Sequence, residues 1–260
     1  YDSALLAFVS ELLPDDPNDW FRADVSQFVQ RIELFGYRNS LAQTVLQLTC
    51  PGVPDLYQGT ECWDFSLVDP DNRRPVDFDF RKQLLTQLEL SPHWPASIAD
   101  PAPKLQCPRR LLHLRRDYPD LFLNGHYLPL PASGSAADHL CAFARMQGEP
   151  ETGLVLLVIV PRLTYTLCAG DPARLAEPEV WGDTVVELPP GLATRSFHEV
   201  FTGDCLNGSL LLVRNCLRYR PAAIFLATMI ENGGYSDEAN ATNGNKSIIS
   251  SADIRSTLPS

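Results

Sequence analysis

Apolar positions recur at helical spacing from the amino terminus to Thr49. Leu5, Phe8, Val9 and Leu12 share one face of a helix that Asp2 or Ser3 can cap and Pro14 ends. Phe21, Val25, Phe28, Val29 and Ile32 follow at i, i+4, i+7, i+8 and i+11, and Gly36 offers the left-handed residue that would close this second helix. A third is expected over residues 40–49, with Leu41, Val45 and Leu48 as its stripe. Pro51-Gly52 then turns the chain into a short extended segment at 54–58, read as a buried strand.

Neither period survives over residues 61–81, which are rich in Asp, Arg, Pro and aromatics; an ordered loop is expected there. A helix at 82–90, a Pro-rich stretch at 91–108 and a helix at 109–118 follow. Short apolar runs then appear at 127–130, 140–144, 154–160, 184–188, 197–201, 210–213 and 223–226, separated by Gly, Pro, Asp and Asn. That spacing predicts an all-β antiparallel sandwich. Residues 229–260 are polar, with too little apolar surface to offset the entropy of ordering, and are expected to form a disordered tail. The organisation expected is thus 1–104, 105–228 and the tail.

At 260 residues the chain is long enough for two domains. Its formal net charge of -11 opposes nucleic-acid binding, since phosphate contacts need clustered Lys and Arg. Arg109, Arg110, Arg115 and Arg116 are accordingly expected on one solvated helix face. No apolar run approaches the roughly 20 residues of a membrane span, so no membrane partner is expected. Seven cysteines without a CxxC pair suggest free thiols in a reducing cytoplasm, and neither a zinc cluster nor a disulfide framework. Asn207, Asn240 and Asn245 open glycosylation triplets that carry little weight without a signal peptide. Histidines 93, 113, 126, 139 and 198 lack the i, i+4 partner of a helical metal site and read as structural or exposed. Neither a nucleophile elbow nor a phosphate loop is present. No metal or cofactor is expected.

Candidate chemistry concentrates at 51–77. Gly52 and Gly59 punctuate a short segment, beyond which Glu61, Asp64, Asp69 and Asp71 gather carboxylates, with Arg73 and Arg74 able to hold them. Guanidinium forks and carboxylates hydrogen-bond paired sugar hydroxyls, and Tyr57, Trp63 and Phe65 offer flat faces for pyranose rings. A carbohydrate cleft is the sharp reading. Exposed ion pairs over core aromatics are the plain alternative, and Tyr57 and Trp63 stay open between core and sugar contact.

Pro51-Gly-Val-Pro-Asp-Leu-Tyr-Gln-Gly-Thr-Glu61 resembles the segment around the eighth strand in the α-amylase superfamily, whose fold is a (β/α)8 barrel. Trp63-Asp-Phe-Ser-Leu-Val-Asp-Pro-Asp-Asn-Arg-Arg-Pro-Val-Asp77, Leu121-Phe-Leu-Asn-Gly-His-Tyr-Leu-Pro-Leu130 and Trp181-Gly-Asp-Thr184 resemble the maltooligosyltrehalose synthases. The resemblance implies the last helices and eighth strand of a barrel followed by the sandwich. It implies, too, an intramolecular transglycosylase that turns the terminal α-1,4 linkage of a maltooligosaccharide into an α,α-1,1 linkage. The superfamily's catalytic Asp, Glu and Asp follow strands four, five and seven, so no catalytic residue is expected in this chain and the chain alone is expected to be inactive. Asp69-Pro-Asp-Asn-Arg73 matches a segment that binds a donor-side glucose, which gives Asp69 and Arg73 to substrate, Arg74 and Asp71 more weakly, and Glu61 to support. The rival readings are a non-catalytic carbohydrate-binding module built on the sandwich, a structural domain without ligand, and part of a glucan-hydrolysing amylase.

Overall fold

The computed structural model describes residues 1–12, 19–90, 99–218 and 220–228. Pro14, His93, Asn240, Asn245 and the 229–260 tail lie outside these residues. Helix α1 (Asp2–Leu12) buries none of its side chains. Asp19 accepts a hydrogen bond from the Arg22 N–H (2.7 Å) and starts α2, a single helix over Trp20–Thr49. The break expected at Gly36 does not occur. Glycine in a helix costs only about 1 kcal/mol relative to alanine, and from Phe35 onward α2 is packed. Phe35, Leu41, Ala42, Val45 and Leu48 are buried, whereas Val25, Phe28, Val29 and Ile32 in its first half are exposed. The second and third helices expected from the periodicity are therefore one.

Residues 54–58 are not the buried strand expected: 54–57 have no regular structure, Gln58 enters a turn, none is buried, and among the described residues no strand pairs with them. A ladder needs a neighbour's backbone, and here the Asp55 carbonyl accepts from the Gln47 side chain instead. Helix α3 (Phe78–Leu90) begins four residues before its expected start, because the Asp77 carboxylate accepts from the Phe80 N–H (2.8 Å). Helix α4 (Pro101–Asp117) begins eight residues early. Asp100 caps it through the Ala102 N–H (2.8 Å), and Pro101 and Pro103 occupy the first turn, where a missing N–H costs nothing. Of the expected Pro-rich stretch, 101–108 is thus helix, and 91–98 lie outside the described residues. The expected 104/105 division falls inside α4.

Short α5 (Pro119–Leu123) leads into strands β1 (His126–Pro129), β2 (Ala132–Ser133), β3 (Leu140–Gln147), β4 (Leu154–Pro161), β5 (Val185–Glu187), β6 (Phe197–Glu199), β7 (Cys205–Leu206), β8 (Leu210–Leu212) and β9 (Ala223–Ala227). They form two sheets, ordered β1-β3-β4-β9-β6-β7 and β2-β5-β8, with every pairing antiparallel. Strand β4 explains its own unbroken apolar sequence. Val155, Leu157 and Ile159 enter a cluster with Val186 and Leu211 of the smaller sheet. Leu154, Leu156, Val158 and Val160 enter another with Leu41, Val45 and Leu48 of α2, Leu111 of α4 and Leu121 of α5. Burial on both faces removes the usual alternation.

One side chain ties the helices to the larger sheet. Arg145 on β3 is 1% exposed and donates to the carbonyls of Thr49 (3.2 Å), Leu121 (3.1 Å), Phe122 (2.9 Å) and Gly125 (3.1 Å). Arg115 adds the carbonyls of Leu48 (2.9 Å) and Gly52 (2.8 Å) while lying over the Phe122 ring (4.8 Å). Arg109 reaches Glu89 (3.2 Å) and Arg110, though exposed, the Val200 carbonyl (3.0 Å); the expected solvated arginine face holds for Arg110 and Arg116, whereas Arg109 and Arg115 are partly buried. Packing on both flanks of α4 lets the long stems reach acceptors that the sequence pattern does not reveal. All seven cysteines are unbridged.

Two predictions rest on this packing. Arg145→Met leaves four carbonyls short of a donor, so it should lower unfolding free energy by roughly 3 kcal/mol in urea titration; an unchanged midpoint would contradict the tie. Glu199, buried at the end of β6, accepts from the N–H groups of Phe201 (2.8 Å) and Thr202 (2.7 Å) and from the Thr202 hydroxyl (3.0 Å). Burial nonetheless raises its carboxyl above the usual range. The folded state then holds the proton more tightly than the unfolded one, so this contribution is full below about pH 4.5 and lost as pH rises through the raised value. Stability of the wild type relative to Glu199→Gln should fall with rising pH across that window, measured by thermal unfolding from pH 4 upward; a constant difference would exclude the shift.

Candidate functional site

The loop between α2 and α3 folds over the amino-terminal turns of α3 and α4. Its frame is Arg81, in the first turns of α3, which sequence analysis placed in the loop and assigned no role. Arg81 donates to the Gly59 carbonyl (2.6 Å), the Glu61 carboxylate (3.2 Å) and the Asp77 carbonyl (3.0 Å). Glu61 also accepts from the Gly59 N–H (2.9 Å). Gly59 sits at φ +96°, which favours glycine, and the Val76 side chain lies 3.2 Å from where a Cβ would be, so a larger residue would also have to push Val76 aside. The available signal was the i, i+4 spacing of Asp77 and Arg81 across a helix start.

A cleft of ≈ 480 Å³ opens against this frame, lined by Trp63, Asp64, Phe65, Asp71, Arg74, Arg81 and their neighbours. Trp63 is half-buried. Its indole N–H donates to the Asp100 carbonyl (2.8 Å), the Tyr37 ring lies 4.8 Å away, tilted by 58°, and the Lys104 ammonium sits 5.7 Å from the ring centroid. Phe65 packs edge-on against Tyr37 at 5.4 Å. Asp64 accepts from the Ser66 N–H (2.9 Å) and hydroxyl, which hold its carboxyl below the usual range, so it is an ionised acceptor at neutral pH. Asp71 accepts from the Leu67 N–H (2.8 Å) and pairs with Arg74.

Of the residues named from sequence, Trp63, Asp64, Phe65, Asp71 and Arg74 line the cleft together. Asp69 and Arg73 form an exposed fork (Nη2 to Oδ2, 2.7 Å) on the same loop and are not among the lining residues. Tyr57 is exposed, and its carbonyl accepts from Thr60; Glu61 is occupied by Gly59 and Arg81. Lys104, Tyr37 and Asp100 escaped sequence reasoning because their roles arise from helix pairing.

Helices, loop and antiparallel sheets match carboxyl-terminal parts of α-amylase-type enzymes. No family model matches the chain. The solved maltooligosyltrehalose synthase of Arthrobacter ramosus is 36% identical, with a TM-score of 0.65 over 81% of this chain and 25% of that one. This chain belongs to the maltooligosyltrehalose synthase family, as a segment of it. A Mycobacterium tuberculosis protein described as a maltooligosyl trehalose synthase is 36% identical over 202 residues, 75% of this chain. A solved glycosyltrehalose synthase is 27% identical, with a TM-score of 0.60 over 88% of this chain and 25% of that one. The chain spans about a fifth of the curated relatives it matches, 22% of their length.

The frame and the fork should separate in stability. Arg81→Met removes charged hydrogen bonds from a half-buried network and should cost about 2 kcal/mol, with faster proteolysis between residues 59 and 77. Asp69→Ala or Arg73→Ala should cost under about 1 kcal/mol, since both partners are exposed. Urea titration of the three variants checks the order, and equal losses would count against Arg81 as the frame.

Proposed function

We propose that this chain is the carboxyl-terminal, substrate-holding part of a maltooligosyltrehalose synthase, cytoplasmic and acting in trehalose biosynthesis. In this reading the whole enzyme, a (1→4)-α-D-glucan 1-α-D-glucosylmutase, converts the terminal α-1,4 linkage of a maltooligosaccharide to α,α-1,1. Residues 51–61 lie around the eighth strand of a (β/α)8 barrel, the substrate loop 59–81 follows it, and the sheets form the sandwich beyond. The observation that carries the reading is the cleft itself: a half-buried indole beside acidic side chains and guanidiniums, on a loop like that of the family.

The chemistry of the cleft supports holding rather than bond-making. A general acid needs a carboxyl poised near the working pH, whereas Asp64 is held low and Asp71 is paired with Arg74. The carboxylates that break and form glycosidic bonds are therefore taken to lie outside these 260 residues. Trp63 would take a pyranose face, Arg74 and Asp71 paired hydroxyls, and Asp69 with Arg73 the next donor-side glucose. Glu61 and Tyr57 would support the loop. The exposed Leu5, Leu6, Phe8, Phe28 and Val29 on α1 and α2 suit helices that further chain covers in the whole enzyme.

The test is calorimetric titration of the 260-residue chain with maltopentaose. Binding is expected, with Trp63→Ala and Arg74→Ala each weakening it by about tenfold or more, and with no loss or gain of reducing ends on incubation. Unchanged affinity in both variants would move binding to the sheets and favour the carbohydrate-binding module. Newly released reducing ends would favour an amylase.

A further inference from the structure

Lys104 is 8% exposed, yet the acceptors around its ammonium are neutral: the Thr44 hydroxyl at 2.6 Å, the Ser40 hydroxyl at 3.0 Å and the face of Trp63. Burying an ammonium without a carboxylate is unfavourable, and an apolar side chain of the same length would fill the volume without that cost. Nor does the Thr44 hydroxyl depend on it, since Thr44 already donates to the Ser40 carbonyl (2.8 Å) in the ordinary helical manner. The cation thus stands where stability alone does not call for one. What it adds is a direction: an ammonium is attracted to the face of an indole and not to its edge.

Trp63 is held from every packed side. Asp100 fixes the N–H edge with its carbonyl while its carboxylate caps α4, so the edge is anchored to a helix start. Tyr37 packs on the ring from α2. Lys104, one turn into α4, sets the plane of the ring by hydrogen-bonding to α2 and placing its charge over the indole. We propose that Lys104 is a positioning residue that fixes the Trp63 ring as the flat floor of the cleft, so that a sugar meets a preset surface. Lys104 touches no sugar; it acts through Trp63, and its value to binding rests on the glucan reading above. A preset aromatic face spares the loop the ordering cost of forming it on binding.

The test uses Lys104→Gln, which keeps hydrogen bonding to α2 without the cation, Lys104→Met, which also removes the polar end, and Lys104→Arg, which keeps the charge. The readouts are hydrogen exchange of the Trp63 indole N–H, resolved among the four tryptophans by nuclear magnetic resonance, and calorimetric titration with maltopentaose. Selective loss of Trp63 protection by about tenfold in the Gln and Met variants is expected, with the rest of the chain unchanged and protection restored in Lys104→Arg. Maltopentaose affinity should fall by about tenfold in Lys104→Gln, with no further loss when Trp63→Ala is added. Unchanged Trp63 protection, or a loss spread evenly over the chain, would overturn the assignment, as would affinity losses that simply add. Selective loss of protection in a chain that binds no maltopentaose would leave the positioning role standing and remove the glucan reading instead.

Discussion

The buried guanidinium of Arg145 is the constraint on which the rest of the arrangement depends. It sits in the larger sheet and spends its donors on carbonyls that helix geometry leaves without partners: the last residue of α2, two residues of α5 and the turn before β1. Carbonyl ends of helices carry partial negative charge, so a cation there is stabilised without any carboxylate. Desolvation lowers the affinity of Arg145 for its proton, yet a guanidinium stays charged at any ordinary pH. The carbonyl ends of two helices are thereby fixed against one strand. Where α2 ends decides where the loop begins.

That placement propagates to the cleft through α4. The helix packs against α2 on one side and α3 on another, and its first residues meet the loop, where Asp100 holds the indole of Trp63. Cys62, Leu84, Leu88, Ala102 and Leu105 form a small apolar cluster beneath this meeting point. The cleft is accordingly built on helix ends backed by packed side chains, and the loop over it is short-tethered by Arg81 and Glu61. Rigid support of this kind suits the sugar-holding role proposed for the cleft.

Much of the β half was legible because its signals are local. Runs of apolar residues between Gly, Pro, Asp and Asn mark strands wherever the chain folds, and each expected run from 127–130 to 223–226 overlaps an observed strand, while the two-residue strands β2 and β7 lie outside every expected run. The candidate loop was legible for a related reason: Trp63, Asp64, Asp71 and Arg74 are close in sequence, so a single turn of chain brings them to one cleft. Helix limits were read less well. Gly36 looked like an end and the prolines before Arg109 looked like a linker, but proline is compatible with a first turn and glycine with a supported interior. Which of these occurs depends on what packs against the segment.

The residues by themselves determined the antiparallel strands, the acidic and aromatic loop and its likeness to the maltooligosyltrehalose synthases, because pattern and motif are properties of neighbouring positions. Tertiary structure alone decided that both faces of β4 are covered, that Arg145 closes the ends of two helices, and that Lys104 lies against Trp63. Each of those joins groups far apart in sequence, whose meeting depends on the angle and depth at which helices and sheet pack. A lysine in a helical pattern looks the same in sequence whether it faces water or an indole. Only the packing removes the water.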